Sequence, residues 1–145
     1  MSDSKKVFFV QEADNGEYET ESVWCHVHGD YFIIDNIPFV AKRISLGDVI
    51  KAEFDQEEER YYFEDFVSIS GNTTVRIFVY DDDLIEPIRK WLSDSGCESE
   101  VLQVRGIVAV NIPKVLSYTP IKAFLEIGEQ RGQWVYEESC LVHDY

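Results

Sequence analysis

The sequence of 145 residues lacks any long apolar run, and this absence limits the cellular locations that can be expected for the protein. A membrane-spanning helix needs about 20 consecutive apolar residues, and no stretch approaches that length. The apolar run near the start, at residues 7–10, is also shorter than the ~7–15 residues of a signal-peptide core. We therefore expect a soluble protein of the cytoplasm.

Cysteine is scarce as well. Cys25, Cys97 and Cys140 are odd in number, far apart and outside any C-x-x-C motif. This pattern disfavours a disulfide framework and predicts reduced thiols. Cys25 and Cys140 lie in apolar, strand-like segments without a base placed to activate them, which is typical of inert core cysteines.

Enzyme signatures are missing too. The sequence contains no G-x-G-x-x-G, G-x-x-x-x-G-K-[ST], G-x-S-x-G or H-E-x-x-H. His26 and His28 lie beside Cys25, but alternation along a strand turns Cys25 away from both, and a closed zinc site needs four ligands. We therefore expect no catalytic residue, no cofactor and no metal site, and a protein that is not an enzyme.

Basic residues are few, and the charge balance is strongly acidic. The chain carries 28 acids against 13 lysines and arginines, which gives a net charge of −15. Nucleic acid and anionic membranes are poor partners for such a chain, because binding to them depends on lysine and arginine. A basic protein partner is favoured, although acidity that only maintains solubility stays an open alternative.

What the sequence does contain is a first half rich in short alternating runs. Turn-forming residues separate five candidate strands, at residues 6–10, 21–27, 30–35, 48–54 and 60–69. These runs predict a small antiparallel β-barrel-like unit over residues 5–70. Before the fourth strand, Pro38 is expected at a strand start or edge and Gly47 at a turn. Lys42 and Arg43, between them, could bind an anion but are expected rather to pair with neighbouring carboxylates.

From residue 71 onward the order of elements changes. Strands are predicted at residues 73–80, 98–104, 106–113 and 133–142, with helices at 81–96 and from about 117 to 132. On the first helix an apolar face is predicted, and Pro87 is tolerable there only in the first turn. The second helix is expected to be capped by Thr119 or Ser117 and to pack through Ile121, Phe124, Leu125 and Gly128. The βαββαβ order predicts a ferredoxin-like unit over residues 71–145, and the whole chain an α+β fold.

Several segments resemble a known bacterial family. NIPFVAKRISLGDVI, GNTTVRI, VAVNIP and YTPIKAFLEIGEQRGQWVYEESC are similar to the family of domain of unknown function 4265. The resemblance spans most of residues 20–142. The resemblance implies no activity and no catalytic residues. A link to immunity proteins of bacterial toxin systems is a separate expectation.

Two functions from different classes remain. The first is an interaction module: an immunity or inhibitor protein that covers the basic cleft of a nuclease-type toxin. The acids expected to contact the partner lie at element ends: Asp55, Glu57, Glu58, Glu59, Asp81, Asp82 and Asp83. Asp81–Asp83 could also hold a divalent cation, but a helix cap is the favoured structural interpretation of these three acids. The second function is a small-molecule-binding or enzymatic domain, with Trp24, His26, His28 and Tyr31 lining a cleft between the two units.

Overall fold

The computed structural model describes residues 3–144 and has a mixed α+β architecture of two sheets and two helices. The chain divides into two compact units, Met1–Ser70 and Gly71–Tyr145, and each is described by itself. Tyr145, the last residue of the predicted second unit, lies outside the described residues. Among those residues no helix is both long and apolar enough to cross a membrane.

The first unit is a ring of five strands. Its strands are β1 (Ser4–Glu12), β2 (Tyr18–His28), β3 (Tyr31–Ile34), β4 (Val49–Asp55) and β5 (Arg60–Ser68). Consecutive strands pair antiparallel, as predicted, whereas β5 returns to β1 through a parallel contact that joins Val7 to Tyr61 and Phe8 to Tyr62. The prediction of a purely antiparallel sheet was therefore wrong at the closure. Side chains alternate between the two faces in the same way in parallel and antiparallel strands, so the alternation cannot predict the direction of this pairing.

The interior of the ring is filled by every second residue of its strands. Val7 and Phe9 of β1, Val23 and Cys25 of β2 and Ile50 of β4 are buried together. Phe9 also stacks on Phe63 of β5, with ring centroids 5.0 Å apart. Period-2 alternation in the sequence predicts these inward positions, and it assigns the intervening residues to the outer face.

Residues 35–48, between β3 and β4, are ordered by carboxylates. Glu21 accepts hydrogen bonds from three successive backbone N–H groups, those of Phe39, Val40 and Ala41, at 2.7, 2.9 and 2.8 Å. The buried carboxylate of Asp48 accepts from the N–H of Ser45 at 2.9 Å. These two carboxylates satisfy backbone donors that a loop without sheet partners would otherwise leave unpaired.

The basic pair in this loop lies at a corner of the chain. Gly47 has a φ of 87° and makes the turn into β4, as predicted, whereas Pro38 lies outside every strand, contrary to the prediction. Lys42 and Arg43 are exposed, and Arg43 adopts a left-handed φ of 66°. Within residues 3–144 neither side chain forms an ion pair, so the expected pairing with neighbouring carboxylates was wrong. The backbone geometry explains this corner without a bound anion.

The second unit is a four-stranded antiparallel sheet with two helices. Its strands are β6 (Thr73–Val79), β7 (Glu98–Leu102), β8 (Ile107–Ile112) and β9 (Trp134–Cys140), in the spatial order β7-β8-β6-β9. Helix α1 (Ile85–Asp94) follows β6 after a 3₁₀ turn at Asp82–Leu84, and α2 (Thr119–Gln130) precedes β9. Every strand pair in this sheet is antiparallel.

The two helices begin at different kinds of residue. Pro87 lies in the first turn of α1, the position where a missing N–H costs no helical hydrogen bond. Tyr118, rather than Thr119 or Ser117, occupies the N-cap position of α2, and it forms no side-chain capping bond. The predicted cap was wrong because Tyr118 is buried and its hydroxyl donates to Glu138 at 2.7 Å. Tertiary packing thus places the start of α2 where capping preference alone would not.

The helices pack on the sheet through an aromatic stack. Trp91 of α1 lies parallel to Phe124 of α2 with ring centroids 3.8 Å apart. Trp134, the first residue of β9, packs against Phe124 and donates from its indole N–H to the carbonyl oxygen of Leu125 at 3.0 Å. The predicted apolar face of α2 is confirmed, and Gly128 lies on it where the Trp134 ring crosses the helix.

The three backbone bonds to Glu21 predict a large stability cost on substitution. Glu21→Gln replaces one acceptor oxygen by an NH₂ group that faces backbone donors, so the free energy of unfolding should fall by about 1.5–3 kcal/mol. The exposed control Glu64→Gln should change it by less than about 0.5 kcal/mol. Urea unfolding measures both, and equal small changes in the two variants would contradict this role of Glu21.

The contact at Gly128 predicts that even one added methyl group destabilises the second unit. A Cβ atom there would lie 1.8 Å from Cζ2 of Trp134. Gly128→Ala should therefore lower the free energy of unfolding by about 1–3 kcal/mol, despite the better helix propensity of alanine. In a double-mutant cycle with Trp134→Phe, which removes the clashing ring atoms, the penalty should shrink. An undiminished penalty would mean that Trp134 is not its cause.

Candidate functional site

The acidic loop predicted to contact a partner is the tip of the β4–β5 hairpin. Asp55, the last residue of β4, accepts hydrogen bonds from the N–H groups of Glu57 and Glu58, both at 3.0 Å. Glu59 completes the turn in a left-handed conformation with a φ of 55°. The Asp55 carboxylate therefore organises the loop that carries the other acids, as aspartate does in Asx turns.

One side of the hairpin holds an acidic depression of about 420 Å³. It is lined by Glu53, Phe54, Asp55, Gln56, Glu57 and Tyr62. No lysine or arginine lines it, and the Phe54 side chain is 45% exposed. Within the described part of the chain the carboxylates of Glu53 and Glu57 accept no hydrogen bond. They therefore keep their full capacity to accept bonds from a ligand.

The lining of the acidic depression suits a long cationic side chain. Lysine and arginine combine an apolar stem with a charged head, so the stem can lie on an aromatic ring while the head reaches carboxylates. Phe54 is held against Tyr61 in an edge-on contact with ring centroids 5.0 Å apart. The ring is therefore positioned before any ligand arrives.

The other side of the hairpin has a mixed charge. A second depression, of about 430 Å³, is lined by Glu58 and Glu59 together with Lys5, Lys6 and Arg60, and by the aromatic residues Phe8, Phe54 and Tyr61, so that Phe54 lines both depressions. Glu58 accepts a hydrogen bond from the Tyr62 hydroxyl, which raises the pKa of Tyr62, and it pairs with Arg60 at 3.8 Å. The four predicted hairpin acids are thus divided. Asp55 and Glu57 line the acidic depression, whereas Glu58 and Glu59 face basic residues of the same unit.

The second predicted cluster, Asp81–Asp83, belongs to the other unit and has a capping role. Asp81 accepts a hydrogen bond at 2.9 Å from the N–H of Asp83 and is the N-cap of the 3₁₀ turn before α1. Asp82 and Asp83 are exposed in the first turn of that element. Acids at this end of a helix interact favourably with its dipole, so their position has a sufficient structural reason.

The histidines of β2 lie on the outer face of the ring. Cys25 points into the core while His26 and Trp24 are exposed on either side of it, as alternation predicts. His26 pairs with Asp35 at 2.9 Å, and Lys6 lies over the Trp24 ring at 5.1 Å. Residues 3–144 contain no group of three or more histidine, cysteine or acidic side chains that could hold a metal ion.

Burial suppresses the reactivity of two thiols. Burial, with a smaller contribution from the nearby Asp35 carboxylate, raises the pKa of Cys25 to about 12, and burial raises the pKa of Cys97 to about 11. The thiolate is the nucleophilic form of cysteine, so both side chains are chemically quiet at neutral pH.

The second unit contains a denser polar network around Lys122 of α2. Its ammonium group lies 3.0 Å from Glu138, which also accepts the Tyr118 hydroxyl bond. Burial works to lower the pKa of Lys122, but hydrogen bonds with Tyr136 and Glu138 outweigh it and raise that pKa above its ordinary value. The lysine is therefore a permanent cation that attaches α2 to the edge strand β9.

A third depression, of about 530 Å³, lies between α1 and β7. Arg89 crosses it and donates to the hydroxyl and carbonyl oxygens of Ser99, both at 3.1 Å. The guanidinium thus donates a hydrogen bond to a carbonyl oxygen of the edge strand β7. That oxygen is then less available to pair with a strand of another chain. Its lining mixes both charges, so it favours no one class of ligand.

Four members of the acidic depression were missed by sequence reasoning: Glu53, Phe54, Gln56 and Tyr62. Alternation in β4 places Glu53 on the same face as Asp55, and this signal was available in the sequence. Tyr62 joins them because it pairs with Glu53 across the hairpin. That register depends on the length of the β4–β5 loop and on irregularities in strand pairing between Val49 and Ala52, which no sequence pattern predicts.

Comparisons with known proteins place the chain without assigning an activity. The search of curated proteins gives no significant match. One solved structure, described as "Novel crystal structure of a hypothetical protein from Neisseria gonorrhoeae", is similar over 97% of each chain, with a TM-score of 0.81 and 23% identity. At that identity the likeness shows the fold alone. The model of domain of unknown function 4265 matches residues 21–136, most of the chain, and the protein therefore belongs to that family.

Proposed function

We propose that this protein is an interaction module, not an enzyme, which binds a basic protein through the acidic depression of the β4–β5 hairpin. The observation that carries the proposal is the lining: carboxylates of Glu53, Asp55 and Glu57 beside an exposed Phe54 ring, without a basic side chain among them. A lysine or arginine of the partner would place its charge among these carboxylates and its stem on the ring.

The net charge supports the same proposal at longer range. At −15 the chain attracts basic proteins, and such steering raises association rates by about 10–10³ fold at low salt. The hairpin tip projects carboxylates at the end of two strands, where a partner can reach them. In this proposal the net charge raises the rate of association, and the acidic depression determines where the partner binds.

The partner class that fits best is a nuclease-type toxin, with this chain as its cytoplasmic immunity protein. A nuclease holds phosphates in a basic cleft, so an inhibitor that covers the cleft must present carboxylates where phosphates would lie. Blocking a cleft requires complementary charge and a stable scaffold but no catalytic group. The free thiols Cys25 and Cys97 suit a reducing compartment.

The scaffold proposed for this role is a small barrel followed by a ferredoxin-like unit. The closed ring of β1 to β5 supports the first assignment. The strand order β7-β8-β6-β9, with helices after β6 and after β8, supports the second. The β4–β5 hairpin pairs in a regular register from Ala52 to Asp55, and this register holds the hairpin side chains in place.

Neutralising the acidic depression should weaken binding of a basic ligand. The triple variant Glu53→Gln, Asp55→Asn, Glu57→Gln preserves shape and the acceptor that orders the turn. Each exposed ion pair contributes about 0.2–1 kcal/mol, so affinity for a lysine- and arginine-rich peptide should fall roughly tenfold. Titration calorimetry at two salt concentrations measures this loss and the accompanying drop in salt sensitivity.

A matched control separates the depression from overall charge. The triple variant Asp14→Asn, Glu17→Gln, Glu64→Gln removes three exposed acids that lie elsewhere on the same unit. It changes the net charge by the same amount as the triple variant of the acidic depression. This control, and Asp82→Asn with Asp83→Asn in the second unit, should reduce affinity by less than about threefold. If all three variants lose affinity to the same degree, binding is diffuse and the hairpin is not the site.

A further inference from the structure

The segment that follows β9, residues 141–144, is held by one threonine. The backbone N–H groups of Val142 and His143 both donate to Oγ1 of Thr73, at 3.0 and 3.1 Å. Thr73 is fully buried at the start of β6, whereas Leu141 and Val142 are about two-fifths exposed. The segment therefore depends on polar contacts more than on apolar burial.

The hydrogen bonds around His143 determine which ring nitrogen carries its proton. A hydroxyl group has one hydrogen and two lone pairs, and the two backbone donors occupy both lone pairs of Thr73. The hydrogen of Thr73 must then point to Nδ1 of His143, which lies 2.6 Å away. Nε2 lies 2.8 Å from the carbonyl oxygen of Pro113, which can only accept. All four bonds form together only with a neutral ring protonated at Nε2.

We propose that His143 is a pH-dependent latch, which holds residues 141–144 against the end of the sheet when neutral and releases them when protonated. A proton on Nδ1 would face the Thr73 oxygen, whose lone pairs are already used. Three donors would then face two lone pairs, so at least one of the two backbone bonds or the ring contact must break. Acidification, which protonates histidine side chains, therefore favours release of the segment.

The neighbouring groups do not offset this conflict. The Tyr118 ring lies 6.1 Å from the imidazole, and its hydroxyl is bonded to Glu138. Glu138 is in turn paired with Lys122. Lys114, next to Pro113, adds positive charge and Asp144 negative charge, but within residues 3–144 no carboxylate forms an ion pair with His143. Strand β9 stays in place on release, because it pairs with β6 independently.

Hydrogen exchange of the full chain tests the latch. Protection factors, corrected for intrinsic exchange, are measured for the Val142 and His143 amides at pH 7.5 and 5.5. They should fall roughly tenfold at the lower pH, while the amides of Val75 and Ile77 in β6 keep their protection. The ring ¹⁵N spectrum at pH 7.5 should place the proton on Nε2.

Variants decide whether His143 is the cause. The pH effect should vanish in His143→Gln and persist when His26 and His28 are replaced by glutamine. Thr73→Ser keeps the hydroxyl and should retain the effect, whereas Thr73→Val should lose protection at both pH values. Unchanged protection in the wild type, a fall that persists in His143→Gln, or a proton on Nδ1 would overturn the proposal.

Discussion

The parallel contact between β1 and β5 is the constraint on which the charge pattern of the first unit depends. It closes the ring through Val7–Tyr61 and Phe8–Tyr62. It also places the lysines at the start of β1 beside one face of the β4–β5 hairpin, where they line a depression together with Glu58 and Glu59. The opposite face keeps Glu53, Asp55 and Glu57 without basic neighbours in its lining. A short backbone contact thus gives the hairpin one mixed and one acidic side.

Several acids of this chain hold the fold together through hydrogen bonds to the backbone. Glu21 satisfies three backbone N–H groups, Asp48 and Asp55 each organise a turn, and Asp81 caps a 3₁₀ turn. Removing the acceptor oxygen of such a residue tests stability as much as binding, because it leaves backbone donors unpaired. Glu53 and Glu57 have no comparable duty among the described contacts. The net charge therefore overstates the number of acids that are available to contact a partner. The available acids are those that accept no hydrogen bond within the fold.

The elements were predictable from the sequence where local signals are strong. Alternation marked the five strands of the first unit, and helical spacing marked the faces of α1 and α2. The parallel closure of the ring and the Glu53–Tyr62 pair were not predictable, because both depend on contacts between residues that are distant in sequence. The start of α2 was misplaced because the buried Tyr118 side chain, through its bond to Glu138, outweighs the capping preference of Thr119 and Ser117. Within the site, Asp55 and Glu57 were identified from charge, whereas Phe54 was not, since an exposed aromatic looks like a core residue in the sequence.

The most direct test of the proposed binding site locates a basic ligand on the surface of the protein. A lysine- and arginine-rich peptide carrying a spin label broadens the NMR signals of residues near its bound position. We expect the strongest broadening at the amides of residues 53–57 and at Tyr62, with little effect at residues 81–83. Broadening spread evenly over the acidic surface, or centred away from the β4–β5 hairpin, would contradict the proposal that the acidic depression is the recognition site.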